Sequence, residues 1–293
     1  MTPGVASGSP RPVSDSRAPD PLDLSVLRAH RGRQRDHSAI LDRIAAHLDE
    51  HDGFVAWSGG KDSTVVVDLA RRVDPNVPVV FYNTGLEFPE NLRYILDLTR
   101  LWSLNLTAIK TQPDLLTALV AGGGFAHGSP RRLTFSLRER LLLQPAATAH
   151  DTFGPGSLWG VRSAESSRRA MLYRTSLRQQ LDRSCGPNCC TSSSEQRARH
   201  GGIVTRTDGT VTFGPIWNWT TDQVWEYLAA QNIPPNPIYA KLYHLGADAD
   251  SARVDSILDA EHVTRGQISR LKHGWPQLYA RLCRALPRLD EFA

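Results

Sequence analysis

The sequence predicts an α/β protein with a doubly wound, mostly parallel sheet and a helical C-terminal region. Three observations carry this. Short, almost wholly apolar runs of the kind buried in a parallel sheet recur through the first 160 residues. Segments with helical apolar spacing alternate with them. The first apolar run also leads through Ser-Gly-Gly-Lys-Asp-Ser directly into a helical pattern. In such sheets the ligand crevice lies beyond the carboxyl ends of the strands, where that turn would sit.

Taken in order, Leu24 to Glu50 has helical spacing, with Ile40, Leu41, Ile44, Ala45 and Leu48 on one side, and Gly53 ends it. Phe54–Trp57 is a buried strand. Thr64–Val73 reads as helix despite its valines, stopped by Asp74-Pro75. Val77–Tyr82 is a second strand, Phe88–Trp102 a helix with Pro89 in its first turn, and Leu104–Ile109 a third strand. Pro113–Val120 is helical and Gly122–Gly124 a break. Arg131–Ala149 is predicted helical, Ser157–Val161 a fourth strand, and Glu165–Leu181 helical. A loop with Gly186, Pro187 and a run of serines follows. Ile203–Phe213 carries Asp208-Gly209 between two Thr/Val runs, a hairpin signal. Thr220–Gln223 fits a capping box that opens a helix through Ala230. The proline-rich IPPNPIY comes next, and the last 45 residues read as helical up to Pro287.

The chain has 293 residues, 40% of them hydrophobic, enough for a sizeable core. No apolar run approaches the roughly 20 residues that span a bilayer, and the N-terminus lacks the apolar core of a signal peptide. A cytoplasmic protein is expected, with a Pro/Ser/Gly-rich disordered tail over residues 1–22. The net charge of +4 is uneven: between Arg131 and Arg206 stand thirteen arginines, no lysine and five acidic residues, a net +8. Such a field suits a polyanion, although a solvated helical face gives the same pattern. Three of the four cysteines, Cys185, Cys189 and Cys190, lie together. In a reducing compartment that cluster points to chemistry or metal binding rather than disulfides, against the alternative of inert core thiols.

The Ser58–Ser63 stretch follows a strand and opens a helix. Its glycines let the backbone approach a ligand closely. The helix start presents N–H groups and the positive dipole end to an anion. Lys61 adds a charge, and Ser58 and Ser63 add hydroxyl donors. It is not a Walker A loop: Lys61 is followed by Asp62, and Val55 stands where the earlier glycine belongs. Transfer of a γ-phosphate is therefore not indicated.

SGGKDS resembles the loop of the PP-loop ATP pyrophosphatases, whose fold is adenine nucleotide alpha-hydrolase-like, or Rossmann-like. The resemblance implies that ATP, with Mg2+, is cut between its α and β phosphates and AMP passed to an acceptor oxygen. YNTGLEFPE (Tyr82–Glu90) is similar to the Asp-Thr-Gly-x-x-Phe-Pro-Glu segment of the phosphoadenylyl sulfate (PAPS) reductases and the sulfate adenylyltransferase small subunit. WGVRSAESSRRA (Trp159–Ala170) and GPIWNWTTDQVWEYLAAQNIPPNPIY (Gly214–Tyr239) resemble later reductase segments. On this resemblance Ser58, Gly59, Gly60, Lys61, Asp62 and Ser63 hold phosphates, and Thr84 and Gly85 sit near the nucleotide. Arg162 and Arg168 face phosphate or sulfate oxygens, Arg169 belongs to the same substrate set, and Glu165 orients an arginine. The domain it implies runs over residues 23–243, followed by a helical extension over 244–293.

Two departures matter. Asn83 replaces the family's Asp, which removes a carboxylate from that position. The reductases' late Glu-Cys-Gly-Leu-His segment has no counterpart: the one late cysteine, Cys283, has helical spacing with Leu282 and Leu286 and reads as core. Reduction of a sulfonucleotide by the usual route is therefore not expected. Another branch with this outline serves DNA phosphorothioation, where an ATP pyrophosphatase activates a backbone phosphate for exchange of oxygen for sulfur. The arginine field fits a DNA partner. Cys189 or Cys190 would then carry persulfide sulfur from a cysteine desulfurase or other donor. The competing use of Cys185, Cys189 and Cys190 is an iron–sulfur cluster, which normally takes four cysteines. The alternatives are a sulfonucleotide reductase or sulfate-activating subunit, and a silent nucleotide-binding regulatory subunit, alone or in an oligomer.

Overall fold

The computed structural model describes residues 35–124, 136–184, 186, 189, 192–248, 252–254 and 266–293. The expectations for the 1–22 tail, the 24–34 stretch, the start of the 131–149 helix, Cys185 and Cys190 lie outside the described residues.

A six-stranded sheet forms the centre, in the order β3-β2-β1-β4-β6-β5. Its strands are β1 (Gly53–Ala56), β2 (Pro78–Asn83), β3 (Asn105–Lys110), β4 (Gly156–Trp159), β5 (Ile203–Thr205) and β6 (Val211–Phe213). All pairings are parallel except β5 with β6, the hairpin expected around Asp208-Gly209. From β1 the chain runs outward through β2 to β3, then returns to place β4 on the other side of β1. The switch point, where a ligand crevice opens, is therefore between β1 and β4.

Helices cover both faces. α1 (Ser38–Glu50), α2 (Lys61–Val73), α3 (Pro89–Trp102) and α4 (Leu115–Ala121) precede α5 (Gln144–Phe153), α6 (Ser167–Ser184) and α7 (Ser193–His200). α8 (Thr221–Ala230), α9 (Ile238–His244), α10 (Gln267–Gly274) and α11 (Pro276–Ala285) follow among the described residues. Val55, Trp57 and Val79 pack with Val65 and Val66 of α2 and with Trp275, Leu282 and Leu289 of the C-terminal segment in the main core. Phe54, Ala56 and Val80 face the other way, onto Ala149 of α5. This alternation of inward residues on two covered faces is why the strand runs are continuously apolar.

Several boundaries differ from the sequence reading. α2 begins at Lys61, not Thr64, because Gly60 is already its N-cap and the loop residues form its first turn. The helix expected to end at Ala149 runs to Phe153 and is preceded by a π-turn, Glu139–Leu143. Pro145 lacks an N–H for the normal ladder, which favours such a turn. β4 stops at Trp159, so Gly160 and Val161 are not strand. Past α11 a 3-10 turn, Pro287–Phe292, continues where the helix was expected to end. The capping box is as expected: Thr220 Oγ1 accepts from Gln223 N, and Gln223 Oε1 accepts from Thr220 N. Among the described residues no helix is long and apolar enough to cross a membrane.

Candidate active site

The Ser58–Ser63 loop leaves β1 at the switch point and is held from several sides. Gly59 adopts φ +78°, the left-handed region, and a Cβ there would collide with Asn91 Oδ1. Asn91 of α3 donates to Ser58 O at 3.1 Å, and Asn236 donates to Gly59 O at 3.1 Å and to Asn91 Oδ1 at 2.7 Å. Ser63 Oγ donates to Gly60 O at 3.1 Å and accepts from Ser58 N at 3.3 Å. Tyr239 Oη accepts from Lys61 N at 3.0 Å. The loop's shape is therefore set by side chains from α3 and from the segment entering α9, not by SGGKDS alone.

Lys61 is 8% exposed, and its ammonium donates to Asp62 Oδ2 at 2.8 Å. Asp62 Oδ1 accepts from Arg162 Nε at 2.5 Å. Arg162 is 2% exposed and sends its remaining ends to Trp219 O at 3.2 Å and Thr221 Oγ1 at 3.4 Å. Lys61, Asp62 and Arg162 thus form a buried triad with one net positive charge. Burial, then the nearby Asp62 carboxylate, raises the Tyr243 phenol above its usual range. The expected role of Arg162, facing phosphate or sulfate oxygens, is met by a different arrangement. Its Nε and both Nη atoms are engaged inside the protein, tying the phosphate loop to the end of β4 and the start of α8. Gly160 makes this possible, since a Cβ there would run into the backbone of Asp62 and Ser63.

Glu165, expected to orient an arginine, makes contacts with three of them. Oε2 accepts from Arg162 N at 2.8 Å and pairs with Arg169 Nη1 at 2.5 Å, while Oε1 pairs with Arg253 Nη1 at 3.4 Å. Arg168 is exposed and takes no ion pair among the described residues. At the end of β2, Thr84 donates through Oγ1 to Glu87 Oε1 at 2.7 Å, and Gly85 N donates to Asn83 Oδ1 at 2.9 Å. The amide of Asn83 closes this turn as a carboxylate would, so the Asp-to-Asn departure costs charge but not shape. Gly85, at φ +83°, packs against Asp114.

The structure therefore brings Ser58–Ser63, Arg162 and, through it, Glu165 and Arg169 together. Cys189 lies in a different setting, between α6 and α7. Its Sγ is 3.7 Å from His200 Nε2 and 3.7 Å from Arg199 Nη1. A nearby guanidinium favours the thiolate. Cys283 is half-buried against the main core, the packing role read from its spacing. Asn91, Asn236, Tyr239 and Arg253 were given no role by the sequence reading. Asn236 and Tyr239 lie inside the IPPNPIY stretch, whose side chains gave no sign of reaching the loop. Arg253 has no local signal at all: Val254 packs beside Gly60, and that places Arg253 on Glu165, 88 positions away in sequence.

The phosphoadenosine phosphosulfate reductase domain profile matches residues 53–247. Sulfate adenylyltransferase subunit 2 of Allorhizobium ampelinum is 26% identical over 217 residues, 69% of this chain and 64% of that protein. The chain thus spans less than two thirds of that relative's length. Phosphoadenosine 5'-phosphosulfate reductase of Xanthomonas campestris pv. campestris is 27% identical over 240 residues, 79% of this chain and 83% of that protein. The solved phosphoadenylyl-sulfate reductase of Candida auris aligns over 74% of this chain and 96% of its own, at 16% identity and a TM-score of 0.44. With the profile matched across more than half of its length, the chain belongs to the phosphoadenosine phosphosulfate reductase domain family.

Proposed function

We propose that the chain is an ATP pyrophosphatase that transfers AMP to an acceptor oxygen and so prepares it for sulfur transfer, with the DNA backbone phosphate as acceptor. The observation that carries the first part is the loop itself. Ser58–Ser63 sits at the switch point, Gly60 is the N-cap of α2, and Lys61 lies in its first turn. The acceptor oxygen attacks the α-phosphorus and the bond to the β-phosphate oxygen breaks. The leaving pyrophosphate gathers charge, and that charge is met by the N-terminus of α2 and by Lys61. A phosphate charge competes with Asp62 for the Lys61 ammonium, while Arg162 keeps Asp62 in place.

Mg2+ fits as a companion of the triphosphate, held largely by phosphate oxygens and water. Among the described residues no group of three or more His, Cys, Asp or Glu side chains is placed to hold a metal alone. DNA as acceptor is supported by exposed arginines on α6, and sulfur delivery by the Cys189 thiol beside Arg199 and His200.

The test is product analysis. ATP is expected to yield AMP and pyrophosphate, and Lys61→Ala to remove a charge-assisted contact of about 1.5–3 kcal/mol, which is roughly 10- to 100-fold in pyrophosphate affinity. ADP and orthophosphate as the main products would reject the reading. Tight competition by phosphoadenylyl sulfate, with no DNA binding at low salt, would move the acceptor to a sulfonucleotide.

A further inference from the structure

We infer that Trp275, acting through Glu90, is a positioning residue for the phosphate loop, so that the C-terminal helices belong to the phosphate-binding unit. The inference rests on the reading of Ser58–Ser63 as a pyrophosphate cradle and extends it beyond the loop's own contacts. Trp275 stands between α10 and α11, is 7% exposed, and is the N-cap of α11. Its Nε1 donates to both carboxylate oxygens of Glu90, at 2.9 and 2.8 Å. Its ring centroid lies 4.4 Å from that of Phe88. Phe88 is the N-cap of α3, Pro89 its first residue, and Glu90 lies in its first turn. One side chain from the end of the sequence thus fixes the start of α3 twice, by ring packing and by a charge-assisted hydrogen bond. This gives the Phe-Pro-Glu part of the YNTGLEFPE stretch a role that phosphate binding alone does not.

Lys241 of α9 is the third member of the cluster. Its ammonium donates to Glu90 Oε1 at 3.1 Å and lies 4.2 Å from the centre of the Trp275 ring. Gly274 lets α10 approach, since a Cβ there would run into Leu245, just past α9. Trp275 therefore joins α3 to α9, the two elements that grip the loop. Asn91, the neighbour of Glu90, is fully buried and donates to Ser58 O at 3.1 Å. Tyr239, two residues before Lys241, accepts from Lys61 N at 3.0 Å, and Asn236 bridges Gly59 O and Asn91 Oδ1. There is little slack, because Gly59 has no room for a Cβ beside Asn91 Oδ1. A shift of α3 against α9 would move both grips at once. Misplacement by about 1 Å is enough to cost on the order of 100-fold in a reaction that depends on orientation.

The experiment measures the affinity of the full chain for inorganic pyrophosphate, and its melting temperature, in the parent, Trp275→Phe, Glu90→Ala, Glu90→Gln and Tyr279→Phe. Trp275→Phe keeps a ring against Phe88 and removes the donor to Glu90. It and Glu90→Ala are each expected to weaken pyrophosphate binding by roughly 3- to 10-fold. Glu90→Gln keeps an acceptor for the indole and is expected to stay within about 2-fold of the parent. Tyr279→Phe removes a hydrogen bond to Asp290 inside the C-terminal segment. It is expected to lower the melting temperature by about 2–4 °C, as Trp275→Phe does, while leaving pyrophosphate affinity unchanged. That contrast separates positioning from a general loss of stability. Parent-like affinity in Trp275→Phe and Glu90→Ala, or an equal loss in Tyr279→Phe, would overturn the positioning role and leave the phosphate loop standing. If Trp275→Phe does not fold, the Glu90 pair decides, and equal affinities for the Ala and Gln variants would overturn the role. A parent that binds no pyrophosphate would overturn both the role and the loop reading.

Discussion

Arg162 and Arg174 show the two opposite uses of a guanidinium in this molecule. Arg162 is 2% exposed and committed through Nε and both Nη atoms to Asp62, Trp219 and Thr221. Arg174 lies on the solvent face of α6, takes no ion pair among the described residues, and with Arg178, Ser167, Ala170, Met171 and Thr175 lines a shallow open groove. Both belong to the same run of arginines in the sequence. Burial separates them: a buried guanidinium must be satisfied by the fold, whereas an exposed one remains available to a polyanion. The arginine field of the sequence is therefore two populations, a bolt beside the phosphate loop and a basic face on α6.

The thiols divide along the same line and give the largest expected effect. Cys189→Ser and Cys190→Ser should abolish sulfur transfer while leaving conversion of ATP to AMP intact, because Cys189 belongs to the α6–α7 layer and not to the loop. Cys283→Ser, in the core, should be milder in transfer. A transfer assay run beside an AMP assay reads both, and parent-like transfer in all three variants would make the thiols structural. Next comes stability. Arg162→Ala leaves Asp62 Oδ1 without its buried donor, with Lys61 still on Oδ2, and should cost about 1–3 kcal/mol, whereas Arg174→Ala should stay within about 0.5 kcal/mol. Denaturant titration compares them, and equal midpoints would erase the distinction. The smallest effect is on DNA. Replacing Arg174 and Arg178 together by Ala should lower the slope of log affinity against log salt by roughly 1.8, two phosphates at about 0.9 each on duplex, with sequence preference unchanged. Binding titrations at several salt concentrations would show an unchanged slope if α6 is not the contact.

Much of this was legible in the sequence where signals were local. The apolar runs of β1 and β2 marked strands because both faces of the sheet are covered, and Thr220–Gln223 marked α8 because a capping box is complete within four residues. α7 was missed although a signal existed: Ser192 Oγ accepts from Glu195 N at 3.2 Å and donates to Glu195 Oε2 at 2.8 Å, a cap hidden within a run of serines. α9 was missed because the prolines before it read as loop, whereas Pro237 has φ −62°, already suited to a helix start. At the site, residue types announced the loop, but not what holds it. That Arg162 turns inward depends on Trp219 and Thr221, and that Arg253 reaches Glu165 depends on the fold of the C-terminal segment. No window of sequence contains those pairs.

The clasp on the phosphate loop also has a consequence for synthesis. Gly59 and Lys61 leave the ribosome early, but the side chains that fix their geometry, Asn236 and Tyr239, follow 177 and 178 positions later. At about 5–20 residues per second, the nascent chain waits roughly 10–35 s with β1 and β2 made and the loop unclasped. During that interval the apolar runs of both strands lack their C-terminal cover, including Trp275, whose ring stands 4.4 Å from that of Phe88. Translation speed and chaperone supply therefore bear on how much active protein a cell obtains, and a chain cut short before Asn236 would carry the whole Ser58–Ser63 motif without its working shape.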